Sequence, residues 1–179
     1  MKSNEVEKII FLDIDGVLDY QYSLDHSPEK ATALKKELLQ KNPKLENISI
    51  FDLSIAYNDW QNSAIEYLHN LCQKTGAFIV ICSSWRLIYS VEDLKNLFDL
   101  YDLGKYVIDK TEDLDIKNGR ATEIRTYLAK NKHIKNYVIL DDDEGFYVND
   151  NFGNRFISTN EYEIFTEKQY EIALKILSV

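Results

Sequence analysis

Three short apolar runs, each closed by a polar residue suited to phosphate chemistry, constrain this chain more than any other feature. Residues 9–12 end at Asp13, residues 77–82 end at Ser83, and residues 137–140 end at Asp141 followed by Asp142. A continuous apolar run of this length reads as a strand buried on both faces, and such strands belong to parallel sheets covered by helices. Helical spacing fills the intervals. Residues 63–74 bring Ile65, Leu68, Leu71 and Cys72 to one face, with Gly76 as a stop signal; residues 91–101 do the same with Leu94, Leu97, Phe98 and Tyr101, and residues 121–131 with Ile124, Tyr127 and Leu128. A short run at 155–158 suits another strand and 161–177 a closing helix. The expectation is an α/β fold, a three-layer Rossmann-like parallel sheet with helices on both faces.

In an open parallel sheet, ligands bind outside the carboxyl ends of the strands, so Asp13, Ser83 and the Asp141–Asp142 pair are expected to converge. Taken singly, each is weak, since an Asp after a strand is more often a turn former or helix cap. The first run continues as Asp13-Ile14-Asp15-Gly16-Val17. Two carboxylates one residue apart can divide labour, one attacking as an ionised nucleophile and the other exchanging protons. Gly16 permits the tight turn that brings both to one pocket. A calcium loop is excluded because Gly16 follows the second Asp directly.

At 179 residues with 45% apolar content, the chain suits one domain, 1–179. Residues 19–62 break the strand and helix alternation: they hold both prolines, a probable helix at 29–40 and an apolar patch at 48–57. So long a connection is expected to be a small cap-like insertion. The net charge of −9 gives no footprint for non-specific nucleic-acid binding or for a membrane surface. The charged N-terminus does not read as a signal peptide, and no apolar run approaches the roughly 18 residues that span a bilayer, so a cytoplasmic protein is expected. Cys72 and Cys82 lack metal-ligand spacing, and His26, His69 and His133 are isolated from one another.

The Asp13 to Val17 segment resembles the first motif of the haloacid dehalogenase (HAD) superfamily, Ser83 its second-motif Ser/Thr, and Asp141-Asp142 its acidic fourth motif. The likeness narrows further. Residues 11–18, Thr75-Gly76-Ala77 leading to Ser83-Ser84-Trp85-Arg86, Gly119-Arg120 with Glu123-Ile124-Arg125, and residues 137–143 resemble the branch found as a domain in multi-domain RNA repair proteins. The resemblance implies a phosphomonoester hydrolase in which Asp13 forms an aspartyl-phosphate and Asp15 is the general acid/base. It implies Mg²⁺ held by Asp13, the backbone carbonyl of Asp15, Asp142 and Asp141. Four crowded carboxylates would indeed repel one another without a cation, and Mg²⁺ prefers oxygen ligands.

Ser83 is expected to hydrogen-bond a phosphate oxygen, with Ser84 as its competitor. Arg120 is the expected third-motif base, with Lys117 as the rival, and Asp143 leaves the choice of metal-binding acids open by one position. Ser84, Arg86 and Gly16 are candidate substrate contacts; Trp85-Arg86 can stack on and grip a substrate, and Tyr20, Tyr22, Phe51, Tyr57 and Trp60 are candidates to stack a base. The substrate classes left open are a phosphorylated small molecule, a nucleotide and a nucleic-acid end. Two rivals keep the fold, a non-catalytic phosphate-binding module and a carbon–halogen hydrolase; Asp15 argues against both, and Asp142 against the second. A response-regulator receiver would order its acids and phosphoacceptor differently along the chain.

Overall fold

The computed structural model describes residues 7–20, 26–114, 119–147, 152–159 and 163–179. Five strands, β1 (Lys8–Leu12), β2 (Phe78–Ile81), β3 (Val107–Lys110), β4 (Asn136–Asp141) and β5 (Phe156–Ser158), form one all-parallel sheet in the order β3-β2-β1-β4-β5. The chain starts at the centre, runs outward through β2 and β3, and then crosses to β4 on the other side of β1. The order reverses between β1 and β4, which is where a parallel sheet opens a crevice at its carboxyl edge.

Among the described residues there are six helices: α1 (Pro28–Lys41), α2 (Ile50–Asn58), α3 (Asn62–Thr75), α4 (Val91–Phe98), α5 (Gly119–Lys130) and α6 (Glu167–Leu177). Alternation along β1 sorts the core into two layers. Ile10 and Leu12 join α3, α4 and α6 through Leu68, Leu71, Leu94, Leu97, Ala173 and Leu177. Ile9 and Phe11 face the other way, with Val80, Cys82 and Ile139, onto Ala121 and Ile124 of α5. Phe11 is fully buried, which stabilises the fold by roughly 1.5–3 kcal/mol relative to an exposed ring. The fold is therefore the expected three-layer α/β arrangement.

Local signals set the element ends. Ser27 caps α1 ahead of Pro28 at its first turn, Ser49 caps α2, Ser90 and Asp93 form a reciprocal box on α4, and Gly76, at φ +71°, closes α3. The patch at 48–57 proves to contain helix α2. Leu38, Leu45, Ile48, Leu53 and Ala56 join the same apolar cluster as Ile10 and Leu12, so residues 26–62 pack on the flank of the sheet. Strand β3 has no counterpart among the apolar runs, because only Val107 of its four residues is fully buried.

Candidate active site

The loop after β1 turns sharply. Val17 and Leu18 both donate to the Ile14 carbonyl, Gly16 takes φ +76°, and Asp15 pairs with Asp19 in an isolated bridge. A Cβ at Gly16 would also overlap the Asp142 carboxylate, so glycine is required both for conformation and for close approach. The Gly16 carbonyl accepts from the Thr159 hydroxyl at 2.9 Å, and its N–H donates to Asp19 at 3.3 Å. These contacts set Asp13 and Asp15 at the switch point beside Asp141 and Asp142.

A cavity of about 350 Å³ opens there, lined by Asp13, Asp15, Ser84, Arg120, Asp142, Asp143 and Phe146. Carboxylate oxygens of Asp13, Asp141 and Asp142 lie within 4.8 Å of one another. One Arg120 nitrogen donates to Asp13 Oδ2 at 2.7 Å and to Asp141 Oδ2 at 2.6 Å, and its guanidinium lies 4.5 Å from the Phe146 ring centre. Asp141 is fully buried; Oδ2 also accepts from the Tyr147 hydroxyl at 2.7 Å, and Oδ1 from the Asp143 N–H at 3.0 Å. Asp15 receives the Trp85 indole N–H on both oxygens, at 3.2 and 3.1 Å.

Crowded acids with little water shift in a consistent direction. Burial, then the Asp13 charge, raises Asp15 to about 6, partly offset by the Trp85 N–H. Asp19 rises to about 7 through burial and then Asp15. Asp141 also rises to about 7, through burial and Asp13, with Arg120 pulling it back. Burial and Asp13 raise Asp142 as well. Burial opposes the charge on Arg120, but Asp13 and Asp141 outweigh it, so the guanidinium stays cationic.

These shifts describe a pocket with more negative charge than it can comfortably hold. An oxygen-rich donor set of three clustered aspartates fits a hard divalent cation such as Mg²⁺, which would relieve that repulsion. Asp13, Asp141 and Asp142 are the side chains suited to hold it, and the Asp15 carbonyl is the further ligand that the family resemblance implies. Asp141 is also bound to Arg120, Tyr147 and the Asp143 N–H, so the same carboxylate orients Arg120.

Several expected roles are redrawn by geometry. Of the two serines, Ser84 lines the cavity, whereas Ser83 is fully buried and its hydroxyl accepts from the Trp85 N–H at 3.4 Å, capping the 3₁₀ turn Ser84–Leu87. Arg86 does not reach the cavity as a substrate contact. It is 8% exposed, pairs with buried Glu123 at 2.6 Å and donates to the Cys82 and Ser83 carbonyls, so its charge is used to staple α5 to the turn after β2. Trp85 is buried against Asp15 and does not present a stacking face. Trp60 is core, packed on Phe98, Tyr101 and Trp85, while Tyr20, Phe51 and Tyr57 are exposed. Lys117 and Tyr22 lie outside the described residues.

Asp19, Tyr147 and Phe146 carry no role in the sequence pattern, and Glu123 enters there only as part of the family resemblance. Asp19 was within reach as a third acid in the Asp13-x-Asp15 segment; the Asp141 to Tyr147 contact had no local signal.

The strand order and the acidic, arginine-braced pocket at its switch point define a HAD-like α/β domain. The chain belongs to the family described as the HAD domain in Swiss Army Knife RNA repair proteins, whose model matches residues 9–170. No curated protein and no solved structure matches it. Such domains are generally hydrolases acting on phosphate groups and usually use Mg²⁺, which supports a phosphohydrolase-type role. Among the described residues, no helix is long and apolar enough to cross a membrane.

Proposed function

We propose that this protein is a Mg²⁺-dependent phosphomonoesterase working through an aspartyl-phosphate on Asp13. The observation that carries this reading is the meeting of Asp13, Asp15, Ser84, Arg120 and Asp142 around one open polar cavity. Arg120 pairs with Asp13 and aims it, and its second carboxylate partner, Asp141, fixes its approach. Asp13 Oδ attacks phosphorus while the ester oxygen departs, taking a proton from Asp15. Asp15 then removes a proton from water as that water attacks phosphorus, which releases inorganic phosphate and regenerates Asp13. The Ser84 hydroxyl and Arg120 are placed to contact phosphoryl oxygens. When bound, Mg²⁺ supplies charge neutralisation for the transferring group.

The reading treats 1–179 as one domain with 19–62 as its cap-like part. Among the described residues of that part, none lines the cavity, and the proposed substrates are a phosphorylated nucleic-acid end, a nucleotide or a small phosphate ester. With the chain at −9 overall, such an end is gripped locally, at the phosphate site, and not by a basic surface. The test is a phosphatase screen with Mg²⁺ over small metabolites and 3′- and 5′-phosphorylated oligonucleotides. Release of phosphate that EDTA abolishes and Mg²⁺ restores is expected. Phosphate binding with no turnover on any of these would favour a non-catalytic module.

A further inference from the structure

We propose that Trp85 is a positioning residue for the proton-transfer step, its indole N–H holding the Asp15 carboxyl group in the orientation that serves the leaving oxygen. The proposal rests on the phosphohydrolase reading above and names a residue that controls that same site.

Trp85 Nε1 reaches both Asp15 oxygens, at 3.2 and 3.1 Å, across 70 residues of sequence. The indole cannot turn away. It is 6% exposed and packs at 6.1 Å, centre to centre, on both Trp60 and Tyr89. Tyr89 is itself pinned: its hydroxyl donates to Asp52 and accepts from the Ser49 N–H, at 3.1 Å, at the start of α2. On the other side, Arg86 anchors the turn to Glu123 and to the Cys82 and Ser83 carbonyls.

A buried tryptophan N–H usually finds some acceptor, so the contact taken alone is open to a purely structural reading. Trp60 argues otherwise. Among the described residues, the buried Nε1 of Trp60 has no hydrogen-bond partner, whereas that of Trp85 is paired with an acid of the site. The chemistry gives the pairing a use. In the acid form, the N–H is taken by one oxygen, leaving the other, which carries the proton, to face the leaving group. As the P–O bond breaks and the proton moves to the departing oxygen, negative charge grows on Asp15. The shared N–H then strengthens, which is stabilisation realised in the transition state. The reverse transfer, from water to Asp15, uses the same fixed orientation.

The test separates proton transfer from general damage by varying the leaving group. An alkyl phosphate needs protonation of its departing oxygen, whereas p-nitrophenyl phosphate departs without help. The protein has two tryptophans, and among the described residues the N–H of Trp60 has no hydrogen-bond partner. Replacing both residues biosynthetically with benzothienylalanine, in which sulfur takes the place of the N–H, therefore removes one hydrogen bond and keeps the ring packing. Trp85→Phe is measured beside it. Both proteins should lose about tenfold or more in kcat/KM on the alkyl ester and less than about threefold on p-nitrophenyl phosphate, so that dependence on leaving-group basicity steepens. If Trp85→Phe fails to fold, the sulfur analogue carries the measurement alone. Equal loss on both esters, or no loss on either, overturns the positioning role while leaving the phosphatase reading standing. A wild-type protein inactive on both esters with Mg²⁺ removes that reading and this proposal together.

Discussion

Two buried arginines lie close to the catalytic edge, and the difference between their surroundings separates what builds the site from what works in it. Arg86 meets one carboxylate, Glu123, and two backbone carbonyls, all of them structural. Arg120 meets two carboxylates, Asp13 and Asp141, at the sheet's switch point, and borders the cavity. Each removes a cation from water and matches it with buried acceptors. Of the two, Arg120 alone has a partner, Asp13, that also lines the cavity, so under the proposed mechanism its charge bears on the reacting group. Burial and ion pairing alone do not mark a functional arginine; the identity of the partner does.

Substitution of both arginines breaks this comparison most sharply. Arg120→Met should cut kcat by about 10²-fold or more in the folded protein, since it removes a cation aimed at developing charge. Arg86→Met should leave KM nearly unchanged but cost about 3–5 kcal/mol in denaturant unfolding, because Glu123 is left buried and unpaired. Adding Glu123→Gln should recover most of that stability. Equal kinetic damage from the two single variants would erase the distinction.

A smaller effect is expected from the neighbouring serines. Ser84→Ala should raise KM for a phosphate ester by about tenfold, the loss of one hydrogen bond to a charged group. Ser83→Ala should change KM by less than about twofold, since its hydroxyl caps a turn. Steady-state kinetics on one ester with both variants decides which serine meets the phosphate.

Smaller again is the pH response of the metal-free protein. Asp15, Asp19 and Asp141 have folded pKa values raised to about 6, 7 and 7. The folded state therefore binds more protons than the unfolded chain between pH 4 and 7. Their contribution to stability is fully present below the unfolded pKa and is lost as pH rises through the folded values. The Tm should fall from pH 5 to pH 8, and Asp19→Asn should flatten that slope, because an amide can still accept from the Gly16 N–H without carrying charge. A Tm that climbs over this range would contradict the crowded-acid description.

The strands that carry the acids were legible in the sequence because a run of apolar residues buried on both faces leaves an unmistakable pattern, as in β1, β2 and β4. The order in which Asp13, Ser83–Ser84 and Asp141–Asp142 occur was legible for the same reason, whereas Arg120 follows no apolar run and was legible through the family resemblance and its place at a helix start after Gly119. The direction of individual side chains was not. Ser83 and Ser84 are adjacent, and only the turn that follows β2 decides which one faces the cavity. Arg86 points inward because of Glu123, 37 positions away, and Trp85 meets an acid 70 positions back. Strand β3 escaped because it lies at the sheet edge, where burial is too partial to leave a run.

The central claim is that Asp13 carries the phosphoryl group during turnover. The direct measurement is acid quenching of the protein with Mg²⁺ and p-nitrophenyl phosphate within the first turnover, followed by peptide mass spectrometry. One phosphoryl group on the peptide containing Asp13, discharged by hydroxylamine and absent from Asp13→Asn, is the predicted result, and that variant should also lose on the order of 10³-fold or more in turnover. Turnover that persists in Asp13→Asn, or a phosphoryl group found on a serine, would contradict the account.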